Sequence, residues 1–408
     1  MTFLQPGAHG QRLSPFVPFI LAACTGVSIL STDLFTPSIP DLPRVFGTNE
    51  ITAQYTVSIN LLAYSLAQLV HGPMADTVGR RRLLLIAFGA FVLSSVFCAL
   101  ASSIELLLWG RFLQGLFSSV PSVVIILMIR ELYPAERAVG VMALYGAALG
   151  IAPALGPLLG GYLFVWFGWS GAFWVIALLA AIVLALFYRH VPESLQTRAP
   201  LRPLPAIGAY LGLLTSGNYL KFALPLSLTF GALFAYVTTA PVVFIDLLDV
   251  PEERYGISYI FIIAGYVLGN VLASRLSKKI FARRIVTMGV LLQATGAVAL
   301  AAPVLYGVVE VNYLVGAMTV FAAGLGMIMA SGPLVVLDLV RDRPQGPAAA
   351  LLGTLQLAAA SGASFLSSTF YNETALSLVL TIALFVGLAA LPLLMLPDPN
   401  GVEDDLIP

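Results

Sequence analysis

Long apolar stretches fill this chain from end to end, and each runs for about 20 residues before a charged or proline-containing segment interrupts it. A helix of that length crosses the hydrocarbon core of a bilayer. Because lipid offers no hydrogen-bond partners, a spanning segment must be a helix or part of a closed barrel, and these stretches lack the alternation of strands. Charged residues make up 10% of the chain, against about 25% in soluble domains. The sequence therefore predicts an all-α integral membrane protein.

Twelve transmembrane helices are predicted, arranged as two pseudo-symmetric six-helix bundles. The interval 191–219, with prolines from Pro192 to Pro205, is the longest polar segment. It is predicted to be a cytoplasmic linker between an N-terminal bundle, 1–190, and a C-terminal bundle, 220–408. The predicted helices lie near residues 16–36, 51–72, 83–103, 105–130, 139–163, 169–189, 221–245, 256–276, 284–306, 312–338, 347–370 and 374–396.

Basic residues are distributed unevenly between the two sides of such a bundle. If the N-terminus lies inside, most of the 20 lysines and arginines fall in inside segments, only Arg44 and Arg254 fall in outside loops, and Arg111 lies within a helix. Short loops rich in Lys and Arg remain on the cytoplasmic side of a membrane. Both termini are therefore predicted to be cytoplasmic, which requires an even number of spans.

The loops of the two halves repeat one another. Gly72-Pro73-Met74-Ala75-Asp76 ends the predicted helix 2 before arginines 80–82, and Gly269-Asn270 approaches the end of helix 8 before another basic run. Arg130-Glu131-Leu132-Tyr133-Pro134 after helix 4 is matched by Arg341-Asp342-Arg343-Pro344 after helix 10. Parallel repeats with a site at their interface are typical of carriers that rock between two states.

The strongest local signal is the segment from Gly72 to Arg82, which is predicted to be a tight cytoplasmic turn. Its glycines allow two helices to approach closely, and Asp76 is placed to pair with Arg80 or with Arg130. Such a cluster would hold the cytoplasmic side closed. For Arg81 and Arg82 the alternative is a topogenic anchor. The predicted cytoplasmic gate consists of Gly72, Asp76, Gly79, Arg80, Arg81 and Arg130.

One acid, Asp33, lies near the end of the first apolar stretch. An ionised carboxylate costs several kcal/mol to bury, so Asp33 is expected to exchange a proton within the membrane. Competition between a proton and a solute for one carboxylate is the simplest mechanism of antiport. The alternative is a solvated helix end at the outer mouth, because Pro37 and Pro40 follow closely.

A second intramembrane charge, Arg111, lies in helix 4, six residues after Glu105. A charged side chain at this depth should face protein or water. Two roles are open: Arg111 pairs reversibly with Asp33, or it holds Gln114 and backbone carbonyls of helix 1 as a structural anchor. Asp33 and Arg111 are the predicted proton-coupling residues.

Helix 5 is rich in glycine and proline between Gly146 and Gly161. Small faces allow helices from opposite halves to close tightly, and proline bends a helix. The alternative, ordinary small-residue packing, predicts fewer glycines. We therefore predict a bent sealing helix, with the residues Gly146, Gly150, Pro153, Gly156, Pro157 and Gly160.

The sequence identifies the residues of the substrate cavity less clearly than it identifies the intramembrane charges. Aromatic and polar side chains on several helices are predicted to line an apolar cavity suited to a lipophilic solute. Packing or an interfacial belt is the alternative for each of them, and Glu131 and His71 are interpreted as ordinary polar groups. The predicted cavity residues are Asn60, Tyr64, Gln114, Tyr145, Phe230, Phe234, Tyr236, Tyr266 and Gln356.

Four segments resemble motifs of the major facilitator superfamily. The pattern Gly-x-x-x-Asp-x-x-Gly-Arg-Arg at 72–81 resembles the signature between helices 2 and 3, although Thr77 departs from the basic residue often found there. Residues 108–115 resemble the helix 4 motif with its arginine, and 146–161 the antiporter motif of helix 5. Residues 31–37 resemble the helix 1 ending of drug:proton antiporters, especially bicyclomycin and chloramphenicol resistance-type exporters. The resemblance covers nearly the whole chain, including 346–356, and implies the twelve-helix fold.

Together, the residues and this resemblance predict a proton-coupled antiporter of the bacterial inner membrane that exports small amphipathic compounds, such as drugs, by alternating access. The alternatives are a dedicated exporter of an endogenous metabolite such as a siderophore, and a proton-coupled importer. An enzyme is not expected, since zinc-protease, nucleophile-elbow and phosphate-loop motifs are missing from the sequence. We expect no catalytic residue, no metal, no cofactor and no nucleic-acid partner. We expect a monomer that interacts with its solute, protons and the lipid bilayer, with the proton gradient as its energy source.

Overall fold

A computed structural model describes residues 5–6, 12–196, 203–277, 279–338, 340 and 345–394. Within these ranges a short antiparallel pair, β1 (Gln5–Pro6) and β2 (Arg12–Leu13), precedes fifteen helices. They are α1 (Val17–Asp33), α2 (Leu42–Phe46), α3 (Glu50–Val78), α4 (Arg80–Ala99), α5 (Ile104–Ser118), α6 (Val120–Leu132), α7 (Ala135–Phe167), α8 (Gly171–His190), α9 (Pro203–Leu214), α10 (Gly217–Pro241), α11 (Glu252–Leu276), α12 (Ala282–Leu305), α13 (Val311–Asp338), α14 (Gln345–Thr369) and α15 (Leu376–Leu394).

Nine helical stretches in the described ranges are long and apolar enough to cross a membrane. One of them joins α1 to α2 through the 3-10 turn Thr36–Asp41, and another joins α10 to the π-helical turn Val242–Leu247. The 29-residue α3 and the 33-residue α7 lie between these stretches, and α15 follows them. The count of twelve spans therefore remains a prediction, while the all-helical membrane class is confirmed.

The signature segment is helical rather than a loop, so the predicted turn was too long. α3 continues through Asp76 to Val78, and α4 begins at Arg80. Gly79 alone makes the turn, with a φ of 102° that a residue with a side chain rarely adopts.

Two further boundaries differ from the prediction. The predicted helix 4 is two helices, because the chain breaks at Ser119 between α5 and α6, and Pro121 begins the second one. The predicted linker contains a helix, α9, while residues 197–202 lie outside the described ranges. Arg341 and Arg343, which were matched with the loop after helix 4 as evidence of the repeat, also lie outside those ranges.

The packing places α3 and α7 at the meeting of the two halves. In the first half α1 packs against α7 and α8, and α5 packs against α3 and α4. In the second half α13 packs against α11 and α12, and α10 packs against α14 and α15. Across the interface α3 packs against α14 and α7 packs against α11. These two helix pairs position the site.

Candidate transport site

Asp33 is the last residue of α1, and the chain continues into the turn Thr36–Asp41 without reaching solvent. Its relative exposure is 7%, and among the acids whose side chains are described it is the only buried one. Its carboxylate has no hydrogen-bond or ion-pair partner among the described residues. The interpretation of Asp33 as a solvated helix end is therefore wrong.

Arg111 is fully buried on α5 and donates hydrogen bonds to three oxygens. Its Nε donates to the carbonyl of Thr56 at 3.1 Å, and its Nη1 donates to the carbonyl of Ser31 at 3.1 Å and to Gln114 Oε1. The guanidinium carbon also lies 5.3 Å from the centre of the Phe35 ring, which adds a cation–π contact. Of the two roles that the sequence left open, this geometry is the structural anchor between α1, α3 and α5.

The described structure contains no ion pair between Asp33 and Arg111. Arg111 nevertheless lies close to Asp33, because it donates to the carbonyl of Ser31 two residues earlier on α1. Its Nη2 has no hydrogen-bond partner among the described residues. A buried cation with one unused donor next to a buried unpaired acid is an arrangement that a proton can change.

Two predicted cavity residues belong to this anchor instead. Gln114 has no exposed surface, accepts from Arg111 and donates through Nε2 to Ser95 Oγ at 2.9 Å. Asn60 is also fully buried; it donates to the carbonyl of Arg111 at 2.9 Å and accepts from Thr32 at 3.2 Å. No solute can reach either side chain in this conformation, so their placement on a cavity wall is corrected.

The small residues of α7 form two faces that contact different helices. On one face, a Cβ added at Gly156 would lie 2.4 Å from the Cβ of Asp33, and one added at Gly160 would lie 2.2 Å from the carbonyl oxygen of Leu34. On the other face, a Cβ at Gly161 would lie 2.4 Å from the carbonyl oxygen of Glu252 on α11. The predicted seal between opposite halves therefore involves Gly161, whereas Gly156 and Gly160 pack within the first half.

The remaining residues of the predicted α7 set are placed differently. A Cβ at Gly146 would meet no atom within 4 Å, so this glycine is not needed for packing. Pro153 and Pro157 lie inside the helix, and Pro157 O packs against Gly256 of α11. Gly150 lies on the same helix between them and Gly146.

Five predicted cavity residues are partly buried around the interface of the halves. Phe230 and Phe234 of α10 have ring centres 5.3 Å apart and pack against the apolar core of the first half. Tyr64 lies partly buried on α3. Gln356 Nε2 contacts Met329 Sδ at 3.6 Å, and Tyr266 lies partly buried on α11.

The other two are buried. Tyr145 is 8% exposed, whereas Tyr236 has no exposed surface. Tyr236 packs in an aromatic cluster with Tyr255 and Tyr259, whose hydroxyls are 2.9 Å apart. Tyr255 precedes Gly256, which packs against Pro157 and Leu158 of α7 across the interface. Tyr236 therefore packs behind the predicted cavity lining and does not contribute to its solute-facing surface.

A seam of buried hydroxyls joins α3 to the second half. Ser58 Oγ lies 2.6 Å from Ser364 Oγ, which in turn lies 2.7 Å from Thr238 Oγ1. One turn away, Thr239 Oγ1 donates to Gln54 Oε1 at 3.2 Å. All five side chains are almost fully buried. These uncharged groups hold the halves together near the start of α3.

The predicted gate residues gather at the other end of α3. Arg80 is nearly buried; it lies 2.6 Å from Asp76 and 3.2 Å from Glu131, which also accepts from Ser194 at 2.5 Å. The prediction that Asp76 pairs with Arg80 is thus confirmed by geometry, while Arg130 is exposed on α6.

Two other members of the gate set have different surroundings. Arg81 donates to the carbonyls of Val191 and Tyr188, both at 2.7 Å, and so fastens α4 to the end of α8. Gly72 lies inside α3, where a Cβ would only touch Val123 at 3.9 Å. All of the gate contacts described lie within the first bundle and the first residues of the linker that follows it.

These features can be compared with known proteins. The model of the Major Facilitator Superfamily matches residues 21–367. The chain belongs to this superfamily. It is therefore a membrane transporter and not an enzyme, and the family suggested by the sequence motifs is confirmed. Its apolar helices place it in a membrane.

Curated relatives match over most of their length. The bicyclomycin resistance protein homolog of Haemophilus influenzae is 25% identical over 401 residues, covering 96% of this chain and 98% of that protein. The multidrug transporter MdfA of Edwardsiella ictaluri is 27% identical over 322 residues, or 79% of this chain and 78% of that protein. The chloramphenicol resistance protein CraA of Acinetobacter baumannii is 26% identical, covering 78% and 77%.

Solved structures agree on the fold. A peptide transporter POT in complex with sulfate superposes with a TM-score of 0.76 at 15% identity, covering 96% of this chain and 95% of that one. A partially occluded inward-open structure of the xylose transporter XylE from E. coli gives a TM-score of 0.71 at 16% identity, with 94% and 98% covered. At this identity the likeness establishes the superfamily fold alone.

Sequence reasoning missed three parts of the site. Glu131 was interpreted as a loop charge, yet it bridges Arg80 and Ser194. The hydroxyl seam was not predicted, although the serines at positions 58, 361 and 364 lie within apolar helices and could have indicated polar contacts there. The tyrosine pair 255 and 259 has helical spacing, but nothing in the sequence places its hydroxyls in contact within an aromatic cluster.

Proposed function

We propose that this chain exports small amphipathic compounds, drugs among them, in exchange for protons across a bacterial inner membrane. The observation that carries the proposal is Asp33. It is the single buried carboxylate among the described acids, it has no partner there, and it packs directly against α7 at the interface. An intramembrane acid of this kind is by default part of an ion or proton path.

The coupling step follows from the surroundings of Asp33. When the carboxylate is protonated, the buried region carries only the charge of Arg111, whose oxygens are already in place. When the proton leaves, the anion attracts a polar or cationic solute and gains the field of Arg111. Proton and solute thus compete for one group, and each favours a different arrangement of α1 against α7.

Alternating access uses the two ends of α3. We infer that both termini lie in the cytoplasm, so that the hydroxyl seam of Ser58 and Ser364 is the outer closure and the Asp76–Arg80 cluster lies inside. Opening the seam exposes hydroxyls that water can satisfy, so separation leaves no buried charge unpaired. The protein is proposed to work as a monomer without a cofactor, driven by the proton gradient.

Relatives support drugs as the substrate class. They are named for resistance to bicyclomycin and chloramphenicol and for multidrug transport. The partly buried aromatic side chains of Phe230 and Phe234 offer a matching apolar surface at the interface.

The experiment compares wild type with Asp33→Asn in energised inverted vesicles, using chloramphenicol and a lipophilic cation as probes. Wild type should consume the pH gradient when a probe is added, whereas Asp33→Asn should not. Glu310→Gln, which removes an exposed acid, is the matched control and should behave as wild type.

Full coupled transport by Asp33→Asn would refute the proton-coupling role. A susceptibility panel in an efflux-deficient host then tests the substrate class. If no compound separates wild type from Asp33→Asn, a dedicated metabolite exporter replaces the drug exporter.

A further inference from the structure

A groove on the surface of the first bundle runs between α1 and α8. It has a cavity volume of about 360 Å³ and is lined by Phe16, Phe19, Ile20 and Ala23 at the start of α1 and by Val183 and Leu186 of α8. One end is closed by His190. Phe16 and Phe19 are 60% and 62% exposed, so the groove opens outward.

The position of the groove separates it from the path of the solute. The halves meet along α3 with α14 and along α7 with α11, whereas α1 and α8 form an outer edge of the first bundle. A concave surface of apolar carbon in a bilayer is filled by hydrocarbon, because water would find no polar partners on those walls. The apolar lining of the groove therefore suits a lipid acyl chain.

The end of the groove is basic. Arg189 and His190 form the last turn of α8, and the His190 ring centre lies 6.3 Å from that of Phe16. Arg189 is exposed. Arg81 reaches the same helix end from α4, and its guanidinium is bound to backbone carbonyls rather than to a carboxylate.

Two details favour a bound anion at this place. Arg81 occupies the carbonyls of Tyr188 and Val191, so the negative end of the α8 dipole is covered. Two acids are described nearby: Glu193 accepts from the backbone amides of Arg81, Ser194 and Leu195, and Glu131 pairs with Arg80 and accepts from Ser194. Among the described residues neither acid forms an ion pair with the guanidinium of Arg81 or Arg189, so these two cations remain for a ligand.

We propose that the groove binds one acyl chain of an anionic glycerophospholipid, with the phosphate held by Arg189, His190 and Arg81. Basic pockets between transmembrane helices are recognised by such headgroups, while the chain is held by apolar contact. The bound lipid joins α1, the helix that ends in Asp33, to α8.

The test uses the purified full chain and mixtures of phosphatidylglycerol and phosphatidylcholine with identical chains, followed by native mass spectrometry. Wild type should retain phosphatidylglycerol in preference to phosphatidylcholine. Arg189→Gln should weaken that retention about fivefold, as expected for one basic residue at a membrane surface. Arg189→Lys should retain most of it, and Arg275→Gln, an exposed arginine on α11, is the matched control.

A photoactivatable phosphatidylglycerol gives an independent readout. Its labelled chain should crosslink to residues 16–23 and 183–190, and Ala23→Phe, which fills the groove, should abolish those crosslinks while all charges remain. Size-exclusion profiles confirm that each variant is folded. Equal retention of both lipids, an equal loss in Arg275→Gln, or crosslinks that ignore Ala23→Phe would overturn the proposal.

Discussion

Replacing Gly156 with alanine tests the contact that joins Asp33 to α7. The added Cβ would lie 2.4 Å from the Cβ of Asp33, whereas ordinary contact begins at 3.4 Å, so α1 and α7 must move apart by about 1 Å. The next atoms met are the backbone C and Cα of Asp33, at 3.0 and 3.2 Å. A side-chain rotation therefore cannot relieve the clash.

Overpacking of this kind costs about 1–3 kcal/mol of stability. We expect Gly156→Ala to lower the thermal unfolding midpoint in nanodiscs and to lose coupled transport, because the displaced residue is Asp33, the proposed proton-binding group. Gly146→Ala is the matched control on the same helix, since its Cβ meets no atom within 4 Å. It should be as active as wild type and as stable, or up to about 1 kcal/mol more stable.

The measurement is the unfolding midpoint together with substrate-driven loss of the pH gradient, recorded for both variants. If Gly156→Ala equals Gly146→Ala in both, the packing of α7 on Asp33 does not position the coupling group. A loss of stability with unchanged coupling would refute the functional half of the reasoning.

Three further predictions concern the anchor, the gate and the seam. Arg111→Lys should cost about 2 kcal/mol of stability, because an ammonium group cannot reproduce the guanidinium hydrogen bonds to three oxygens. An unfolding midpoint equal to that of wild type would contradict this. Glu131→Gln should destabilise the chain more than Asp76→Asn, by about 1 kcal/mol, because Asp76 is half exposed and solvent screens its ion pair with Arg80. Chemical denaturation in nanodiscs measures the difference, and the reverse order would refute it. A double-mutant cycle of Ser58→Ala with Ser364→Ala should give a coupling energy of about 1 kcal/mol, and strict additivity would show that the seam bond is not formed.

The membrane class and the family could be read from the chain because both depend on local features. Hydropathy over about 20 residues decides whether a segment can cross a bilayer, whatever its neighbours are. Asp33 and Arg111 were also identifiable, since a charge inside such a segment must be buried against protein or water.

The partners of those charges were decided only by the tertiary structure. Arg111 takes the carbonyls of Thr56 and Ser31 instead of the Asp33 carboxylate, and this choice depends on how α1, α3 and α5 cross. A sequence records which residues lie on a helix, but not its rotation about its axis relative to the next one.

Helix rotation also explains the remaining differences. Gly156 and Gly161 are five residues apart on α7, yet one contacts Asp33 and the other contacts α11 of the second half. Membrane helices are apolar on all sides, so no polar face indicates which side packs where. The sequence alone determined that this protein lies in a membrane and that Asp33 falls within an apolar span, and the packing of uniformly apolar helices decided what that acid touches.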